Sequence, residues 1–182
     1  GRDAFIGAVH RSAALMDGKV EFVAGALSSD PDKAKASGRD LLIGDDRTYG
    51  TWQEMVEQES KLPEGERIDF VSIVTPNFMH FPIAKGFAEA GINIVCDKPM
   101  TYSLQEATDL VDIVNQAGII FALTHNYTGY PMVKQARHMV RGGEIGDVLK
   151  IVVEYPQGWL ITALEAEGQK QAAWRTDPAR SG

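Results

Sequence analysis

The residues best suited to chemistry gather at Asp97-Lys98-Pro99. They close an apolar run, Ile92-Asn93-Ile94-Val95-Cys96, that reads as a strand buried on both faces of a parallel sheet. Proline blocks any further ladder bond, so the charged pair emerges where the strand ends. In open α/β sheets the crevice beyond the carboxyl ends of the strands is where ligands bind, and a lysine there is a candidate for chemistry. The simpler alternative is a solvated lysine in a turn. Gly1 and Gly7, with Phe5 and Ile6 between them and a helix following, have the makings of a phosphate-binding turn. Backbone N–H groups at a helix N-terminus hold a diphosphate, and glycine lets it approach closely. The glycines are six apart, whereas G-x-G-x-x-G sets its last two three apart, so this loop is expected to be longer by about one turn. A helix with an incidental glycine is the rival explanation.

Roughly 20 residues on, where such folds carry a ribose-binding carboxylate, stand Ser28 and Ser29, with Lys33 in reach. Serines do not repel a 2′-phosphate, which leans the cofactor from NAD toward NADP. Asp30 opposes that lean, and Ser-Ser-Asp-Pro is also simply a good helix start. His10 and His138 read as structural, Cys96 as a buried inert thiol, and no Cys/His cluster has metal-ligand spacing.

These residues must be positioned by a scaffold. The chain has 182 residues, 44% hydrophobic and 24% charged, which suits one full domain and part of a second. A net charge of −7 removes the basic footprint of nucleic-acid binding. No window approaches 18 uninterrupted apolar residues, which argues against a membrane span. One cysteine allows no intrachain disulfide and fits a reducing, cytoplasmic location.

Along the chain, a helix is expected over 8–16, a strand over 21–27 and a helix from Pro31 capped by Asp30. Residues 41–46 read as a loop, and Thr51 caps a helix that turns Trp52, Met55 and Val56 inward. A strand over 69–74 ends at Thr75-Pro76-Asn77, and a helix over 79–90 precedes the strand at 92–96. Ser103-x-x-Glu106 is a capping box for a helix whose apolar face carries Leu104, Ala107, Leu110, Val111 and Val114. A buried strand over 119–123, a helix over 131–141 and a half-wet strand over 148–155 follow, with loops and a short helix beyond. Strands alternating with helices predict an α/β, Rossmann-type doubly wound parallel sheet, with the start of a second α+β sheet domain after it. We place the dinucleotide-binding domain at residues 1–124 and the beginning of a substrate and oligomerisation domain at 125–182. A glycine-rich turn should follow a strand, and none precedes Gly1. In the dinucleotide fold that strand is central, and omitting it exposes groups at roughly 1–3 kcal/mol each. The sequence therefore reads as a fragment lacking its first strand and most of its C-terminal domain.

Four segments, in order, resemble one family. Ile6-Gly-Ala-Val-His10 is similar to its post-glycine helix start, and Thr75-Pro76-Asn77 with His80 to its T-P-N-x-x-H strand end. Asp97-Lys98-Pro99 is similar to its E-K-P signature, and Trp174-Arg175-x-Asp177-Pro178 before Ser181-Gly182 to its W-R-x-D-P segment. The family is the glucose–fructose oxidoreductase, inositol dehydrogenase and MocA group of NAD(P)-dependent oxidoreductases. The resemblance implies hydride transfer between nicotinamide and a secondary alcohol or ketone of a sugar, cyclitol or related polyol. It implies that Gly1 and Gly7 lie on the cofactor diphosphate, that Thr75, Pro76, Asn77 and His80 line the nicotinamide, and that Asp97 sits near its ribose. Lys98 would be hydrogen-bonded to the substrate hydroxyl, with partial burial and a cationic ring both disfavouring its ammonium form. Trp174 and Arg175 would close over cofactor and substrate, and a homodimer or homotetramer would be expected.

Two departures limit the transfer. Asn126 is followed by Tyr127 rather than arginine, so no particular sugar or acid is inherited. The family's downstream aspartate and histidine fall beyond Gly182, and His125 is a candidate substitute in catalysis, against an ordinary loop histidine. Two other functions remain open: a dinucleotide- or ligand-sensing regulator of the same fold without turnover, and a methyl-donor-binding α/β protein.

Overall fold

The computed structural model describes residues 1–2, 4–159 and 161–178, and divides into two compact units, Gly1–Leu123 and Thr124–Gly182. In the first, helix α1 (Phe5–Leu15) is followed by β1 (Gly25–Ala26), α2 (Pro31–Asp40), β2 (Thr48–Tyr49) and α3 (Trp52–Glu59). Then come β3 (Phe70–Ile73), α4 (His80–Glu89), β4 (Asn93–Asp97), α5 (Leu104–Ala117) and β5 (Phe121–Thr124). The helix starts are local chemistry. Asp30 accepts the N–H groups of Asp32 and Lys33 at 3.0 and 3.1 Å, Thr51 caps α3, and Ser103 and Glu106 complete a reciprocal capping box. Gly118 ends α5 with φ 67°, a left-handed conformation that glycine adopts without strain.

β1 pairs with β2 in parallel, and β3 with β4 in parallel in the register Ile73↔Cys96, with β5 on the far side of β4. The described strands thus form two separate groups, β1–β2 and β3–β4–β5. Val71 and Ile73 share the core with Ile83, Ala84 and Phe87 of α4, whereas Ser72 between them bonds to His10 of α1. Successive strand residues point to opposite faces, so α1 and α4 cover opposite sides of β3. At the amino ends, the Asn93 side chain donates to the Asp69 carbonyl and accepts from Ile120 N–H, both at 2.9 Å, pinning three strands together.

Several expectations are corrected. β4 is not buried on both faces: Ile94 and Cys96 are sealed while Asn93, Val95 and Asp97 are half-buried. The strand expected over 21–27 shortens to Gly25–Ala26, and the segment read as a loop leads into a 3-10 turn, Asp45–Arg47, and β2. Two-residue strands carry no periodicity to detect. On α5 the buried stripe is Leu110 with Ile113 and Val114, while Leu104 and Val111 are exposed. β5 is half-exposed rather than buried, as fits the last strand of its sheet. In the second unit α6 (Pro131–Arg141) and α7 (Lys170–Arg175) form, but no strand forms over 148–155. That stretch is exposed throughout, and a strand exists only where a partner satisfies its ladder. No helix among the described residues is long and apolar enough to cross a membrane.

One buried polar network holds the first unit together. Glu59, fully buried, accepts from Arg47 Nε and Nη2 at 2.8 Å, from Tyr49 Oη at 2.7 Å and from Ile68 N–H at 3.0 Å. Burial, then the bond to Glu59, pushes the Tyr49 phenol up to about 12. Because the folded value is raised, the stabilisation from Tyr49 is complete below the ordinary phenol range and is lost as pH climbs toward that value. Removing one partner of such a pair strands a buried charge, so Arg47→Ala in the full-length protein is expected to cost about 3 kcal/mol in urea unfolding. A loss under about 0.5 kcal/mol would show that the network is dispensable.

Candidate cofactor and active site

The site is assembled by contacts that run from one strand tip to the next. A Cβ on Gly1 would collide with the Leu27 carbonyl just beyond β1, so the chain there approaches β1 more closely than any side chain permits. Gly7 is buried in the first turns of α1, and a Cβ on it would meet only Arg11 Nη1 at 3.4 Å and Val74 Cγ2 at 3.7 Å, just beyond β3. The start of α1 thus lies between these two tips. α2, α3 and α5 begin on side-chain caps, whereas α1, α4 and the Pro131–Arg141 helix do not; α1 begins at Ala4 with no acid in its first turn. Its leading N–H groups, with Gly7 beside them, fit a bound anion such as a diphosphate. Phe5 is exposed and Ile6 half-buried.

After β1, Ser28 Oγ accepts from Asp30 N–H at 3.1 Å and Asp30 caps α2, so both shape the turn. Ser29 is exposed and Lys33 half-buried in the same turn. After β3, Thr75 and Pro76 are exposed and Asn77 is buried, its Oδ1 accepting from Phe78 N–H at 3.0 Å. His80 is buried beneath them. Its Nδ1 lies 2.7 Å from the Pro99 carbonyl and its Nε2 2.9 Å from the Thr75 carbonyl. The ring is therefore occupied by the two loops, and its contribution to a cofactor site passes through them.

Asp97 is the last residue of β4, and Lys98 follows it at the carboxyl edge of the sheet. The Lys98 N–H donates to Asp97 Oδ1 at 2.9 Å, and the lysine is exposed, not partly buried. Cys96 is sealed beneath. Burial, and secondarily the Asp97 charge, push its thiol up to about 12, leaving an inert group. The sequence reading missed His10. Its Nδ1 shares a 3.0 Å hydrogen bond with Ser72 Oγ and its Nε2 lies 3.9 Å from Asp97 Oδ1. The available signal was its position three residues after Gly7, on the same face of α1. His10 so links the helix of the glycine turn to the residue before Lys98.

His125, Trp174 and Arg175 belong to the second unit. His125 is exposed, and its carbonyl accepts from Thr128 N–H and Oγ1 at 3.0 and 2.6 Å. The Arg175 guanidinium lies 4.3 Å from the Trp174 ring centre and 5.6 Å from that of Trp159, while Tyr155 bonds Tyr127 through their hydroxyls. Ser181 and Gly182 lie outside the described residues. No metal-binding cluster occurs among the described residues.

Residues 4–125 match the oxidoreductase family with an NAD-binding Rossmann fold known as GFO_IDH_MocA. The chain belongs to this family. It is 34% identical over its whole length to the Bacillus subtilis oxidoreductase YfiI, spanning 46% of that protein. Levoglucosan dehydrogenase of Pseudarthrobacter phenanthrenivorans is 27% identical over 85% of this chain, which covers 36% of that enzyme. An inositol dehydrogenase homologue from Azotobacter vinelandii, solved with NAD+, superposes with a TM-score of 0.92 at 37% identity over the whole chain and 46% of its own. This Gfo/Idh/MocA chain thus spans less than half the length of the curated relatives it matches.

Gly7→Ala is a substitution that can separate folding from cofactor binding in this Gfo/Idh/MocA chain. The contacts a Cβ would make are ordinary, and alanine exceeds glycine as a helix former by about 1 kcal/mol. Gly7→Ala in the full-length protein is expected to keep or raise the melting temperature while weakening NADH binding about tenfold, equivalent to about 1.4 kcal/mol. Undiminished NADH affinity in fluorescence titration would remove Gly7 from the cofactor site.

Proposed function

We propose that the full-length protein is an NAD(P)-dependent dehydrogenase or reductase acting on a secondary alcohol or ketone of a sugar, cyclitol or related polyol. The observation that carries this reading is the shared edge of α1, the Thr75–Asn77 loop and Lys98, joined by the contacts of Gly7, His10 and His80. Its support in kind is that relatives on this fold include an inositol dehydrogenase homologue and a levoglucosan dehydrogenase.

Bound nicotinamide would supply the hydride acceptor or donor. The residues of the chain do the rest. Gly1 and Gly7 with the first-turn N–H groups of α1 receive the diphosphate, Phe5 and Ile6 flank it, and Asn77 with Thr75 and Pro76 borders the ring. Asp97 stands at the ribose. Lys98 exchanges a proton with the substrate oxygen: in oxidation, the neutral amine takes the hydroxyl proton as the carbon–hydrogen bond breaks, and in reduction the ammonium returns it. His125 is the candidate second proton carrier, and Trp174 and Arg175 would close the site. The lean toward NADP rests on Ser28, Ser29 and Lys33, since Asp30 spends its carboxylate on α2.

Replacing Lys98 by Ala in the full-length enzyme is expected to lower kcat by about 10²–10⁴-fold while leaving NADH affinity within a few-fold. Turnover that survives the substitution would take Lys98 out of the chemistry. Parallel titrations with NADH and NADPH decide the cofactor, tighter NADPH binding being expected from the two serines.

A further inference from the structure

We infer that His80 is a positioning residue for the reactive lysine, its buried ring bridging the Thr75 and Pro99 loops. The inference rests on the oxidoreductase reading for its consequence, but the tie itself is a matter of hydrogen-bond accounting. Both ring contacts are carbonyl oxygens, at 2.7 Å and 2.9 Å, and a carbonyl can only accept. His80 is 1% exposed, so the ring sits between the two loops without solvent around it. A ring N–H donates to one carbonyl, and close packing holds the other loop's carbonyl against the opposite edge of the ring.

The tie acts where it matters. Pro99 is the neighbour of Lys98, and Thr75 begins the loop that carries Asn77, so a ring holding both carbonyls fixes the amine against the nicotinamide-lining loop. Reactions depend steeply on such placement, a misplacement of about 1 Å costing about a hundredfold in rate.

The test uses the full-length protein labelled with ¹⁵N-histidine. In a long-range ¹H–¹⁵N spectrum, the His80 ring, identified by its loss in His80→Gln, is expected to show a ring N–H that exchanges slowly with solvent. A ring N–H in fast exchange would overturn the tie. In folded His80→Gln, kcat is expected to fall about a hundredfold with the NADH dissociation constant little changed. An unchanged kcat, or a loss that follows NADH affinity alone, would overturn the positioning role. If His80→Gln does not fold, the wild-type spectrum decides: the absence of any slowly exchanging histidine ring N–H would overturn the tie. If the wild type turns over no polyol, the oxidoreductase reading fails while the spectrum still judges the tie.

Discussion

Parallel pairing of β3 with β4 is the constraint on which the rest depends. In the register Ile73↔Cys96 the two strands run out together, so Val74-Thr75 and Asp97-Lys98 leave the sheet side by side. Nothing in either segment alone brings them together. The register is held by burial on one face, where Ile73, Ile94 and Cys96 pack with Phe87, Ala88 and Leu110, and a slip of one residue would turn that set away from the core. Asn93 fastens the amino ends of the strands, and His80 joins the loops at the carboxyl ends. Strand pairing sets the geometry, and the two polar clasps keep it from fraying.

The other face of the same strands is given to a different task. Ser72, Val95 and Asp97 are not sealed into the core, and α1 meets them there through His10. α1 starts without a side-chain cap and carries Gly7 in its early turns. Local stability is lower than it would be with a cap and an alanine, by about 1 kcal/mol for each.

What could be read from the sequence was what is decided locally. Asp30, Thr51 and Ser103 announce helix starts because their side chains bond to backbone within three residues, and Gly118 announces an end because of its left-handed φ. The Thr75–Asn77 and Asp97–Pro99 motifs were legible for the same reason, being short segments at strand ends. What escaped was decided at a distance. β2 exists because β1 lies alongside it, the buried stripe of α5 is chosen by α4, and residues 148–155 need a partner strand to become one. His10 looked structural because Ser72 and Asp97, its partners, stand more than 60 residues away along the chain. His80 stands in the T-P-N-x-x-H motif, but that its ring faces two carbonyls beneath the loops is information only the packing holds.

The central claim is that the dinucleotide's reactive ring and the Lys98 amine share the crevice at the carboxyl ends of β3 and β4. The most direct measurement is a crystal structure of the full-length protein with NAD(P)H bound. It should place the diphosphate on the first-turn N–H groups of α1 and the nicotinamide ring between Asn77 and the Lys98 Nζ, with the amine facing the ring carbon that carries the hydride. A dinucleotide bound away from α1, or a Lys98 amine turned into bulk solvent on the far side of its loop, would contradict it.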